Sequence, residues 1–111
     1  MAGAERLICA AADLRAGDNG VRFEAAGQAA FAVRWQGEVF GWLNQCRHVA
    51  LELDWNPGRF FDDSGLYLIC ATHGALYEPD TGLCVSGPCH GRALFPIQLV
   101  ERDGYVYLVE T

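Results

Sequence analysis

Lysine is absent from this chain, and all eight basic residues are arginine. Against 14 acidic residues they leave a formal net charge of −6 at pH 7. Phosphate backbones demand clustered positive charge, so no nucleic-acid partner is expected. Long apolar runs are missing too. No segment approaches the roughly 18 residues a membrane-spanning helix needs, and no membrane partner is expected. The first residues show neither a basic stretch leading into an apolar one nor twin arginines. A soluble, cytoplasmic protein is the expectation. Sustained helical periodicity is nowhere present. Cysteine is odd in number, at five, which argues against a secreted disulfide framework. Histidine is scarce, with only His48, His73 and His90.

What is there fits one small globular domain. The chain has 111 residues, 51% of them apolar and 12% aromatic, enough for one core and too few for a second domain of useful size. Short apolar runs broken by turn formers predict strands at Arg6–Ala11, Val21–Ala25, Ala29–Trp35, Glu38–Asn44, Leu66–Ala71, Leu76–Glu78, Pro96–Glu101 and Tyr105–Val109. The last two flank Asp103-Gly104, a strong hairpin signal. Many short strands with glycine turns predict an all-β sandwich or barrel.

Two short pairs of soft-metal ligands stand out, Cys46-Arg47-His48 and Cys70-Ala71-Thr72-His73, with residues 49–69 between them. Two thiolates and two imidazoles suit zinc or an iron–sulfur cluster. In a Rieske centre the four divide evenly, two Cys on one iron of a [2Fe–2S] cluster and two His on the other. Both pairs lie at predicted strand ends, and the chain between them is loop chemistry, Asp54-Trp55-Asn56-Pro57-Gly58 and Asp62-Asp63-Ser64-Gly65. Two loops held face to face by a rigid scaffold is what a two-iron site needs.

The neighbouring residues sharpen this. Gly74 follows the second pair, and Tyr77, Thr81-Gly82, Gly87-Pro88 and Leu94 come next in order. With the two ligand pairs they resemble the Rieske family, specifically its small ferredoxin-type members. The resemblance implies an antiparallel β fold with a basal scaffold at 1–44 and 95–111 and a cluster-binding part at 45–94, all one domain over 1–111. It implies one [2Fe–2S] cluster held by Cys46, His48, Cys70 and His73, no catalytic residue, and a one-electron carrier. The implied partners are an NAD(P)H-dependent flavin reductase upstream and a terminal oxygenase or similar redox enzyme downstream.

Departures from the family pattern carry information. High-potential members have two further cysteines joining the ligand loops, and here those positions are Leu51 and Thr72. A serine donating to a bridging sulfide is replaced by Ala75, while Tyr77 keeps a hydroxyl directed at a ligand sulfur. Fewer hydrogen bonds to sulfur imply a potential in the lower part of the roughly −150 to +300 mV Rieske span.

Other readings are weaker. Structural zinc accounts for the four ligands but not for Gly74, Tyr77, Thr81-Gly82 and Gly87-Pro88. An oxygenase needs a further iron on two histidines and a carboxylate, and only His90 is left over. A redox subunit permanently bound to a larger reductase is an alternative to the free carrier. Cys9, Cys84 and Cys89 read as small buried or loop thiols; spacing permits a Cys84–Cys89 bridge, which a reducing compartment disfavours. His90 reads as an exposed loop residue, Trp35 and Trp42 as core, and Trp55 as a cluster-shielding or partner-facing side chain. Glu52, Asp54, Asp62, Asp63, Glu78 and Asp80, against Arg47 and Arg59, gather −4 of the net charge. That is either a solvated face or a docking surface for a basic partner.

Overall fold

A computed structural model describes residues 4–47, 51–54, 56–72 and 74–110. Among these described residues ten strands follow in chain order: β1 Ala4–Ala10, β2 Val21–Ala25, β3 Gln28–Trp35, β4 Glu38–Leu43, β5 Leu68–Ile69, β6 Leu76–Tyr77, β7 Cys84–Ser86, β8 Pro96–Ile97, β9 Leu99–Arg102 and β10 Tyr105–Glu110. A 3-10 turn, Ala11–Asp13, follows β1. The strands form three antiparallel sheets, ordered β1-β10-β9, β2-β3-β4-β8 and β5-β6-β7. The all-β expectation holds, and the Asp103-Gly104 hairpin sits between β9 and β10 with Tyr105 opposite Arg102.

The alternating pattern of β3 places the core on both of its faces. Ala30 and Ala32 point one way, where Val106 and Leu108 of β10 join them in two apolar clusters. Phe31 and Val33 point the other way, into a larger cluster with Phe60, Phe61, Leu68 and Tyr77. The Phe31 and Phe60 rings stack at 3.9 Å with 9° between their planes. Alanine on one face lets a second sheet approach closely, and Phe31 on the other anchors the excursion between β4 and β5. The middle sheet is thus sandwiched between the β1-β10-β9 sheet and the segment carrying both Cys-His pairs.

Beyond shifts of one or two residues at strand ends, three elements differ from expectation. The strand expected over Leu66–Ala71 is only Leu68–Ile69, because Phe61 pairs with Leu68 and the flanking residues turn. The run Pro96–Glu101 divides at Gln98: Pro96–Ile97 pairs with β4, and Leu99–Arg102 crosses to β10. Cys84–Ser86 forms a strand that the sequence does not predict, since three residues beside a Gly-Pro turn give no alternation to detect.

Candidate metal centre

The first Cys-His pair leaves β4 through Asn44. That side chain is buried, and its two polar atoms bind across the loop: Oδ1 accepts from the Leu53 amide at 2.8 Å and Nδ2 donates to Asp54 Oδ1 at 2.9 Å. Asp54 in turn accepts from the Gly58 amide at 2.8 Å and pairs with Arg22 Nε at 3.3 Å. Every polar atom in this buried knot is satisfied, which fixes where the chain goes after Cys46. The Cys46 amide donates to Leu51 O at 2.7 Å, closing the first loop on itself.

The second pair follows β5. The Cys70 amide donates to Ala75 O at 2.9 Å, and the Gly74 amide donates back to Cys70 O at 2.7 Å, with Gly74 at φ 72°. Among the described residues, the Ala71 amide donates to Leu53 O at 3.0 Å and joins the two loops. Cys46 and Cys70 are both buried, in one apolar cluster with Ala75, Tyr77, Cys84, Cys89 and Leu94. The structure therefore brings the two expected cysteines into one neighbourhood. His48 and His73 lie outside the described residues, as does Trp55.

Tyr77 is the polar centre of that neighbourhood. It is fully buried on β6, its hydroxyl lies 3.5 Å from Cys46 Sγ, and it accepts from the Arg47 amide at 3.0 Å. Burial and the neighbouring sulfurs push its pKa far above the ordinary tyrosine value, so it is a neutral hydroxyl at any physiological pH. The expected sulfur contact of Tyr77 is present. The same oxygen also lies 3.0 Å from Cys89 Sγ, and Cys89 Sγ lies 2.8 Å from Cys84 Sγ. Both thiols are buried; their spacing permits a bridge, but nothing in the sequence predicts their contact with Tyr77.

The segment after Tyr77 forms a cover. Gly82 donates to Glu78 O at 2.8 Å and takes φ 73°, and a Cβ there would lie 2.7 Å from the Trp42 ring. Trp42 in turn donates Nε1–H to Pro79 O at 3.2 Å. Residues 82–84 then run beside 92–94, with Leu94 N to Gly82 O at 2.9 Å and Cys84 N to Arg92 O at 2.7 Å. The loop at their tip lies over Ala75, where a Cβ on Gly87 would come within 2.9 Å of Ala75 Cα. Gly87-Pro88 thus lies over the cysteine neighbourhood at Ala75, and His90 is exposed, as expected.

Charge around the site is mixed. Glu52 and Asp54 both pair with Arg22, and Asp63 pairs with Arg59. The buried Asp54 belongs to the loop knot and not to a solvated acidic face. Beside Cys46, the Arg47 guanidinium stacks 4.1 Å over the Phe95 ring and donates to Ala93 O at 3.0 Å. Arg92 donates to Arg47 O at 3.2 Å. Phe95 is 46% exposed, so an aromatic and two arginines face solvent next to the cysteines.

The donor set fits an iron–sulfur group. Two buried sulfurs in one apolar cluster, a buried neutral hydroxyl within reach of one of them, and a glycine-turned loop give a dry, soft-ligand site.

Comparison with known proteins agrees. The family model described as the Rieske [2Fe-2S] domain matches residues 5–102. No curated protein matches. Among solved structures, the ferredoxin of carbazole 1,9a-dioxygenase from Nocardioides aromaticivorans IC177 is 20% identical with a TM-score of 0.78, covering 96% of this chain and 98% of that one. A complex of reduced oxygenase and oxidised ferredoxin in carbazole 1,9a-dioxygenase gives 24% identity and a TM-score of 0.77, over 95% of this chain and 92% of the other. A terminal oxygenase of carbazole 1,9a-dioxygenase, also from Nocardioides aromaticivorans IC177, gives 19% identity and a TM-score of 0.79; this chain spans 30% of that one.

Proposed function

Because the chain belongs to the Rieske [2Fe–2S] domain family, we propose that it is a ferredoxin-type carrier of single electrons, passing them from an NAD(P)H-dependent flavin reductase to a terminal oxygenase or similar enzyme in the cytoplasm. Family membership implies one [2Fe–2S] cluster. The observation that carries the reading is the convergence of Cys46, Cys70 and Tyr77 in one buried cluster of a chain that matches a Rieske ferredoxin along almost its whole length. In this reading Cys46 and Cys70 hold the inner iron, and His48 and His73 hold the outer one. The whole chain acts as one domain, with the scaffold at 1–44 and 95–111 and the cluster-binding part at 45–94.

When bound, the cluster supplies a one-electron couple whose potential is set by hydrogen bonds to sulfur, burial and ligand type. The chain's own residues do the rest. The Asn44–Asp54 knot and the Ala71–Leu53 hydrogen bond hold the ligand loops at fixed separation, which limits rearrangement between oxidation states. Tyr77 directs a hydroxyl at Cys46 Sγ. The 82–94 cover keeps water away from the sulfurs. Arg47, Arg92 and the exposed Phe95 form the surface beside Cys46, where an aromatic and satisfied guanidinium groups suit a partner interface.

An oxygenase partner is supported by the neighbours, which include complexes of oxygenase and ferredoxin in carbazole 1,9a-dioxygenase. Among the described residues no helix is long and apolar enough to cross a membrane. The test is an anaerobic electron paramagnetic resonance spectrum of the dithionite-reduced protein with iron and sulfide counted alongside. A mean g value well below that of all-cysteine clusters, with two irons per chain, is expected. A silent, colourless protein containing zinc would end the reading.

A further inference from the structure

Cys84 and Cys89 stand apart from the ligand pairs, yet the fold aims their sulfurs at each other. Cys84 is the first residue of β7, and Cys89 lies on the far side of the Gly87-Pro88 turn. Backbone hydrogen bonds close the loop between them: Cys84 N to Arg92 O at 2.7 Å, Gly91 N to Cys84 O at 3.1 Å and His90 N to Gly87 O at 3.2 Å. The Sγ atoms are 2.8 Å apart, closer than two sulfurs in ordinary packing contact. Both side chains are buried beneath an exposed tip formed by Ser86, Gly87, Pro88 and His90. The third thiol outside the ligand pairs, Cys9, lies on β1 in the opposite sheet and has no such neighbour among the described residues.

We propose that Cys84 and Cys89 are a dithiol–disulfide couple built into the cover loop, and that its state sets the hydrogen bond that Tyr77 offers to Cys46. The oxidant is a small-molecule disulfide such as oxidised glutathione. One sulfur–sulfur bond forms between Cys84 and Cys89 and one breaks in the oxidant. The two protein sulfurs lose two electrons, and their two protons end on the two thiols released. Burial, with the adjacent Cys89 sulfur, pushes the Cys84 thiol up to about 11. At neutral pH Cys84 therefore waits as a thiol, and exchange proceeds when the loop opens.

The link to Tyr77 follows from hydrogen counting. Its oxygen already accepts from the Arg47 amide, and its single hydrogen faces two sulfurs, Cys89 Sγ at 3.0 Å and Cys46 Sγ at 3.5 Å. With Cys89 as a thiol the two sulfurs share that hydrogen. In a disulfide, Cys89 has no hydrogen to give and is a poorer acceptor, so the hydroxyl turns wholly to Cys46. This second half rests on the proposed function, since it reads Cys46 as a cluster ligand. A stronger hydrogen bond to a ligand sulfur raises the midpoint potential.

The experiment uses the full chain with its cluster. It is incubated with oxidised glutathione, denatured with chelator, and labelled with N-ethylmaleimide without reductant. Cleavage after acidic residues releases 81–101, which holds Cys84 and Cys89 and no other cysteine. The expected fragment is unlabelled and two hydrogens lighter than the dithiol, and takes two labels after reduction. Two labels before reduction, or a glutathione adduct on one cysteine, would overturn the couple. Mapping needs no cluster, so it stands even if the electron-carrier reading fails. The Tyr77 link is read separately: oxidised protein should show a higher midpoint than reduced protein, a difference that Cys84→Ser abolishes. A disulfide that forms with no change in midpoint would overturn that link.

Discussion

At the scale of single residues, Tyr77 is where fold and chemistry meet. Its ring fills the main core, while its hydroxyl serves the Arg47 amide and faces Cys46 Sγ. Tyr77→Phe keeps the ring and removes these contacts together with the one to Cys89 Sγ. The reduced cluster then loses one hydrogen bond to a ligand sulfur, worth about 1–1.4 kcal/mol and equivalent for one electron to roughly 40–60 mV. A midpoint lower by that amount is expected by protein-film voltammetry, together with a loss of roughly 1–3 kcal/mol of stability from the orphaned Arg47 amide. An unchanged midpoint would mean that the hydroxyl serves Cys89 alone. Gly82 makes a second residue-scale case. Gly82→Ala would meet the Trp42 ring and a left-handed backbone at once, and about 2–4 kcal/mol of destabilisation is expected in denaturant melts. Gly104→Ala, at φ 83° with open space around it, pays the backbone term only, about 1–2 kcal/mol.

At the scale of elements, the excursion from Cys46 to Cys70 is held by side chains more than by strands. Asn44, Asp54 and Arg22 tie it to β2 and β4, and Phe60 stacks on Phe31 of β3. Asp54→Ala would strand the buried Asn44 Nδ2 and weaken the Gly58 turn. A loss of roughly 2–4 kcal/mol is expected, with faster cluster release under chelator, because the ligand loops lose their spacing. Retention of the cluster at wild-type rates would show that the strands alone hold the loops. The sequence made the longer strands legible, since β2, β3, β4 and β10 have alternation or a turn signal at both ends. It did not reveal β7 or the break at Gln98, where pairing partners far along the chain decide. The cysteine-histidine spacing and the Gly-Pro cover were readable because each is a local pattern. The Asn44–Asp54 knot and the Tyr77–Cys89–Cys84 contacts were not, because no local period encodes which distant side chains meet in a core. Asp54 looked like surface charge for the same reason.

At the scale of the whole molecule, one arginine joins pieces that the backbone leaves separate. Arg34 of β3 donates to Leu14 O at 2.7 Å, Ala11 O at 3.2 Å and Gly37 O at 3.1 Å, and it pairs with Glu101 of β9 at 2.5 Å. It therefore clamps the 3-10 turn, the β3–β4 turn and the β1-β10-β9 sheet around a single guanidinium. The hydrogen bond from Arg34 holds Glu101 below the usual carboxylate value, and Arg102 does the same for Glu5 on β1. A carboxylate whose folded pKa is depressed contributes stability that is present above its unfolded value and lost as pH falls through the folded value. Stability in urea is thus expected to be flat from neutrality to about pH 5 and to fall below roughly pH 4, where these carboxylates begin to protonate. Arg34→Met keeps much of the apolar stem but removes the donors. It should lower stability at pH 7 and remove part of the acid dependence, since Glu101 then titrates near its ordinary value in both states. Equal slopes below pH 4 in the two proteins would show that the acid sensitivity arises elsewhere, and that apolar packing rather than the Arg34–Glu101 pair holds the β1-β10-β9 sheet to the middle one.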